Sequence, residues 1–346
     1  MGTTLSRDAL NRALIERQLL RERADLSALA TIEHLFGMQA QEPKSPYVGL
    51  WSRLSNFRPE DLEELLISRQ AVRILLMRGT IHLVSANDAL GLRPHTQLKL
   101  DREVTSGPFA KRLQGLDFDE VAEAGRKIVE DTPLGTADAG KLLQQRWPDR
   151  EHTVLGNALR NKLPLVQIPP RGLWHKSGRA ICTTVEHWLG RPQQAMPREE
   201  IVLRYLRAFG PSTVMDAQQW SGLTRLGEVF EKLRPELVTF RTEAGKELFD
   251  LPDAPRPDPD TPLPVRLLPE FDNILLAHAD RRRVIADDRL GVVIGGKPTV
   301  LVDGYVVATW SITKERTISV DYLDKLPKSR QKAVADECDR LRDWIG

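Results

Sequence analysis

Cysteine is nearly absent from this chain of 346 residues, with Cys182 and Cys338 its only two. They stand far apart, form no metal-binding CxxC pair and suit a reducing cytoplasm. Histidine is scarce too, and no two of the seven fall at metal-ligand spacing. Aromatic residues amount to 6% of the chain, although seven of them are Trp. No apolar run approaches the roughly 20 residues that a membrane-spanning helix needs. The opening MGTTLSRDALNR has no apolar signal core, so the expected location is the cytoplasm. Gly2 stands where N-myristoylation occurs, and Ser6 fits the rest of that motif loosely. An excess of one charge is also missing. With 50 basic and 48 acidic residues the net charge is +2, so a nucleic-acid surface would have to come from segregating charge onto one face. There is no GxxxxGK[ST], no GxGxxG after a strand, no HExxH and no GxSxG. Neither a metal nor a cofactor is expected.

The length is enough for two to four packed units, and 41% hydrophobic residues is ordinary for a soluble protein. The clearest pattern lies in 198–251. Ile201, Leu203, Tyr205, Leu206 and Phe209 form a helical apolar stripe that stops at Gly210-Pro211. Ser212 or Thr213 can cap a second helix running through Trp220 to Ser221-Gly222. Thr224 is the expected cap of a third helix, with Leu226, Val229, Phe230 and Leu233 on its buried side. The runs LVTF and ELFDL then flank a turn at Gly245. Three helices followed by a hairpin is the winged-helix order.

The middle of the chain repeats it. FDEVAEAGRKIVED, TPLGTADAGKLLQQRW and HTVLGNALRNKL read as helices, and LVQIP and LWHKS as a hairpin around PRG. A more divergent copy opens the chain, with its wing formed by VRILLM and TIHLVS around Arg78-Gly79. The stretch 251–264 holds six prolines in fourteen residues and can only be a linker or rigid crossover. Beyond it VRLLPEFDNILLAH, VVIGG, KPTVLVDGYVVATWSI and RTISVDYL read as strand-rich, with a hairpin turn at Gly295-Gly296, before the amphipathic helix SRQKAVADECDRLRDWI. The expected fold is therefore α+β and mainly helical, with three tandem winged helix-turn-helix units and a C-terminal β-rich segment. Their bounds are 1–95, 96–196 and 197–250, then the Pro-rich linker 251–264 and the C-terminal region 265–346.

One stretch stands out for chemistry, HLFGMQAQEPKSP at 34–46. Gly37 interrupts the preceding helix, and Pro43 biases Glu42 toward extended geometry. In an extended segment Gln39 and Gln41 face one way and Ala40 the other. Two amides so placed can hold a water in one orientation, or turn carbonyl dipoles toward a sugar that develops positive charge. From spacing alone, a polar pair that fastens the loop to neighbouring helix ends is the favoured reading. Glu42 should point the other way and ranks below the pair. His34 is expected to be a satisfied structural residue.

The combination of MQAQEP, PPRGLWHKSG, FGPSTVMDAQQWSGL, LLPEFDNILLAHADRRRV and LVDGYVVATW resembles the AlkZ/YcaQ family of bacterial DNA glycosylases over nearly the whole chain. The resemblance implies a C-shaped, DNA-encircling body of tandem winged helices. It also implies removal of N7-alkylated purines, including bulky adducts and interstrand crosslinks made by natural-product genotoxins. The family's catalytic motif is Gln, an aliphatic residue, then Gln or Asp. Gln39-Ala40-Gln41 matches the Gln/Gln form found in the self-resistance branch of antibiotic producers.

For DNA contacts the candidates are Arg171, Trp174, His175 and Lys176 in the second wing, Arg78 and Thr80 in the first, the triplet Arg281, Arg282 and Arg283, and Lys297. Asp280, Asp287 and Asp288 partly neutralise the triplet. Gly295, Gly296 and Lys297 could probe the minor groove or simply close a sheet. The expected partner is alkylated double-stranded DNA and the expected state a monomer. Two other classes compete: a winged-helix transcriptional regulator without chemistry, and a protein-interaction scaffold.

Overall fold

A computed structural model describes residues 3–313, 315 and 317–346. Gly2, and with it the myristoylation motif, lies outside the described residues, whereas Ser6 accepts a hydrogen bond from the Ala9 amide and caps the helix Arg7–Arg17. Among the described residues no helix is long and apolar enough to cross a membrane.

The same order of elements occurs three times. Helix Ala28–His34, strand Met38–Gln39, helices Ser45–Trp51 and Pro59–Ile67 and the strands Ala71–Leu75 and Ile81–Ser85 make the first copy. In the second, Phe118–Asp131, Thr136–Gln144 and His152–Lys162 precede Leu165–Ile168 and Ile181–Thr184. In the third, Arg198–Phe209, Val214–Ser221 and Leu226–Leu233 precede Val238–Thr242 and Glu247–Asp250. Each copy also ties the link after its first helix to its last strand: Met38 pairs with Leu83, Leu134 with Cys182, and Ser212 with Phe249.

Local chemistry explains many of the boundaries. Thr213 and Asp216 form a reciprocal capping box, and Gly222 (φ 74°) ends that helix in the left-handed region. Leu226–Leu233 starts without the expected Thr224 cap. Its N-cap is Arg225, and the Leu226 amide donates instead to Gln218 Oε1 at 3.0 Å.

The three copies do not stand as separate domains. The hairpins of the first and second join in one five-stranded sheet, where Arg73 pairs with Gln167 and Ile74 with Val166. Phe36 of the first copy stacks on Trp220 of the third at 5.1 Å, inside a core that also takes in Leu14, Tyr205 and Phe209. The expected boundary at 95/96 falls inside one continuous helix, Ala86–Ser106, which Pro94 does not break because Leu92, Thr96 and Leu100 stay buried on both sides of it.

The Pro-rich stretch is a rigid crossover, strapped down by bonds from Arg17 to the Pro255 carbonyl and from Arg12 to that of Thr261. Beyond it, LLPEFDNILLAH is only briefly a strand, Arg266–Leu268, before the turn and short helix Asn273–Leu276. Gly295-Gly296 closes no hairpin. It terminates the helix Leu290–Ile294, with Gly296 at φ 60° and the Lys297 amide donating to the Val292 carbonyl at 3.2 Å. The hairpin turn is Asp303-Gly304, both at positive φ, between Thr299–Val302 and Tyr305–Ile312. A four-stranded sheet results, covered by the expected terminal helix Lys328–Ile345.

Candidate active site

Gly37 has φ 91°, a conformation that lets the chain leave the helix Ala28–His34 and enter the strand Met38–Gln39. The strand lies against Ile81–Ser85, with Gln39 opposite His82. Ala40 is held from both sides: its amide donates to the Ile81 carbonyl at 2.8 Å, and its carbonyl accepts from Arg73 Nη2 at 2.9 Å. His34, as expected, is structural and donates to the Arg17 carbonyl at 2.7 Å.

The two glutamines reach adjacent positions of one partner strand at different depths. Gln39 is buried, and its Oε1 accepts from Arg78 Nη2 at 3.0 Å. Gln41 is exposed, and its Oε1 faces the Ile81 amide at 3.3 Å. Arginine and a backbone amide possess only donors on these groups, so the atom that meets each of them is the glutamine oxygen. Both carbonyls are thus directed at protein donors. Neither amide nitrogen has a hydrogen-bond partner among the described residues, and the pair presents N–H groups rather than carbonyl dipoles.

Arg78 occupies the left-handed region (φ 57°) in the turn of the first hairpin. Its Nη1 donates to the Trp220 carbonyl at 2.7 Å, and Nη2 also meets His82 Nε2 at 3.3 Å. Since His82 Nδ1 donates to the Thr80 carbonyl at 3.0 Å, Nε2 is the bare acceptor. Burial, then the Arg78 charge, pushes His82 down to about 3, so the ring is neutral. Burial, then the charge of Arg281, lowers Arg78 to about 10, which leaves it protonated at neutral pH.

Arg78 was expected on DNA and instead spends its guanidinium on the inside of the site. Thr80 serves the same turn, its hydroxyl donating to the Met77 carbonyl at 3.2 Å. Trp174 is a clearer correction. It is buried against Tyr47 and Trp344, with ring centroids 5.0 and 5.2 Å away, and cannot lie on DNA. Its neighbours His175 and Lys176 are exposed, while Arg171 donates to the Gly178 carbonyl. In the triplet, Arg282 is exposed and paired with Asp280, while Arg283 is buried on the Pro211 carbonyl and is not free for phosphate. The Arg281 guanidinium makes no hydrogen bond or ion pair among the described residues and is near enough to Arg78 to depress it. Lys297 is exposed beyond the helix end.

A chain belonging to one recognisable group accounts for this arrangement. A family model described as DNA glycosylase AlkZ-like matches residues 32–344. The chain belongs to the AlkZ-like DNA glycosylase family. Among curated proteins, the interstrand DNA cross-link repair glycosylase of Streptomyces sahachiroi is 25% identical over 349 positions, spanning 93% of this chain and 92% of that one. The solved structure of Streptomyces sahachiroi DNA glycosylase AlkZ superposes with a TM-score of 0.78 at 23% identity, over 99% of this chain and 98% of that one, and establishes the common α+β fold.

In this AlkZ-like chain a small recess adjoins Gln39, lined by Ser45, Glu270, Phe271, Asp272 and Asn273 among others. Sequence reading missed this wall, because it is brought in from beyond the Pro-rich crossover. Asp272 is consumed by a buried pair with Arg53, whereas Glu270 is partly buried, makes no ion pair among the described residues and accepts from the Ser45 hydroxyl at 2.8 Å. A larger cavity of about 790 Å³, between Leu10, Val214, Met215 and Phe249, includes none of Gln39, Gln41 or Arg78.

Proposed function

We propose that this AlkZ-like chain is a DNA glycosylase that hydrolyses the N-glycosidic bond of N7-alkylated, cationic guanine in double-stranded DNA, crosslinked adducts included. The thrice-repeated order of elements is read as three winged-helix units that form a C-shaped body around the duplex, acting as a monomer in the cytoplasm. The observation that carries the reading is the placement of Gln39 at the end of the strand Met38–Gln39 and Gln41 just beyond it, both oxygens anchored and both nitrogens uncommitted among the described residues. Alkylation at N7 puts positive charge on the base and weakens the bond to the sugar before any protein acts. A placed water and modest stabilisation of an oxocarbenium-like sugar then suffice. In this reading water is the nucleophile and the enzyme is monofunctional. Exposed His175, Lys176 and Lys297, with unpaired Arg281, are the candidates for phosphate contact.

The test is base release from duplex DNA carrying N7-methylguanine or a bulky N7 adduct, in wild type, Gln39→Ala, Gln41→Ala and the double variant. Release above the spontaneous rate, lost by roughly 10²–10³-fold in Gln39→Ala with DNA binding intact, is expected. Uracil and hypoxanthine, which are neutral, should stay in place. Efficient uracil release, or sequence-selective binding with no release at all, would sink the proposal, the latter in favour of a regulator.

A further inference from the structure

Hydrolysis needs an acceptor for the water proton, and the amide pair is poorly equipped to be one. The Gln39 oxygen is engaged by the Arg78 cation at 3.0 Å, and the Gln41 oxygen by the Ile81 amide at 3.3 Å. A carbonyl that accepts from a cation is less basic still, and a neutral amide is a weak base to begin with. His82 cannot help, since its bare nitrogen faces Arg78.

The recess beside Gln39 contains two carboxylates, and only one is unspent. Asp272 receives two hydrogen bonds from Arg53, at 2.9 and 2.8 Å. Glu270 has its Oε2 on the Ser45 hydroxyl at 2.8 Å, which orients the carboxylate and leaves Oε1 without a partner among the described residues. Ser45 is itself buried at the start of the helix Ser45–Trp51, so the orienting bond is made from a fixed point. The recess measures about 10 Å³, roughly what the centre of one water requires.

We propose that Glu270 is a further catalytic residue of the glycosylase reaction, the general base that Gln39 and Gln41 serve as hydrogen-bond donors. The proposal rests on the glycosylase reading above. A water in the recess accepts from the Gln39 amide N–H through one lone pair and donates to Glu270 Oε1. Its other lone pair attacks C1′ of the deoxyribose. The C1′–N9 bond breaks, and its electron pair passes into the alkylated purine, which leaves neutral. The proton released from the water ends on Glu270. The negative charge also faces the sugar as it becomes cationic, offsetting the Arg78 charge behind Gln39.

Single-turnover release of N7-methylguanine, measured beside DNA affinity, tests the assignment. Glu270→Gln keeps an oxygen for Ser45 but removes the base, and a loss of ~10²–10⁴-fold at unchanged affinity is expected. In Glu270→Ala, added formate should restore part of the rate by standing in for the carboxylate, which a purely structural role would not allow. Gln39→Glu, which replaces the N–H donors by acceptors, should also be inactive. Release by Glu270→Gln within twofold of wild type would overturn the proposal, as would a loss in Glu270→Ala that formate does not touch. If wild type releases no base above the spontaneous rate, the glycosylase reading itself fails, a different result from either.

Discussion

Arg53 grips Asp272 through two parallel hydrogen bonds of 2.9 and 2.8 Å, with both side chains buried. The pair joins the first helical unit to the turn that carries Glu270 and Phe271, and next to it Asn273 Nδ2 donates to the Gly37 carbonyl at 2.7 Å. Asp272→Ala leaves the Arg53 cation buried without its counter-charge. We expect a loss of about 3–5 kcal/mol in unfolding free energy by urea denaturation. A loss under about 1 kcal/mol would mean that water reaches Arg53 easily.

Arg78 should behave as part of the site rather than as a phosphate contact. Arg78→Met removes the donors to Gln39 Oε1 and the Trp220 carbonyl. The expected result is slower base release at unchanged DNA affinity and unchanged salt dependence of binding. A salt slope shallower by about one released ion would instead place Arg78 on the DNA backbone.

Gly37 sets the entry of the strand that carries Gln39. At φ 91° a Cβ is strained, and it would lie 2.7 Å from Val84 Cγ1 and 3.3 Å from the Leu83 carbonyl oxygen. Gly37→Ala is expected to cost about 1–3 kcal/mol of stability and to lower base release further than stability explains, because Gln39 is two residues on. Equal activity per folded molecule would show that the strand absorbs the change.

Acid should destabilise the fold from just below neutrality. His82 and His278 are buried, and burial, followed by Arg78 and Arg283 respectively, pushes both to about 3 from an ordinary 6.5. Between those values the unfolded chain binds protons that the folded chain refuses, so stability rises with pH and falls as pH drops from 6.5 toward 3. Each histidine contributes a slope of about 1.4 kcal/mol per pH unit inside that window. The urea midpoint should fall between pH 7 and pH 5, and less steeply in His82→Gln. A midpoint flat over that range would show that the rings open to water.

Much of the architecture is legible in short-range chemistry. The capping box at Thr213 and Asp216, the stop at Gly222 and the amphipathic spacing of Val121, Gly125 and Val129 are all contained within one or two turns of chain. The misreadings have local causes as well. Gly295-Gly296 and Asp303-Gly304 are both turn signals by composition, and only packing separates a helix end from a hairpin. The boundary expected at 95/96 falls inside a helix that runs on through Pro94, because a buried face outweighs the missing hydrogen bond.

The amino-acid sequence by itself determined the α+β class, the three repeats of helices and hairpin, and the pairing of Gln39 with Gln41, because each depends on neighbours a few residues apart. Tertiary structure alone decided what those amides can do. Arg78 arrives from 39 residues away and turns the Gln39 oxygen inward, and Glu270 arrives at Ser45 across 225 residues. It also moved Trp174 from a supposed DNA surface into a core shared with Tyr47 and Trp344. Contacts of that range are set by which apolar faces find each other on folding, and no local pattern of residues encodes them.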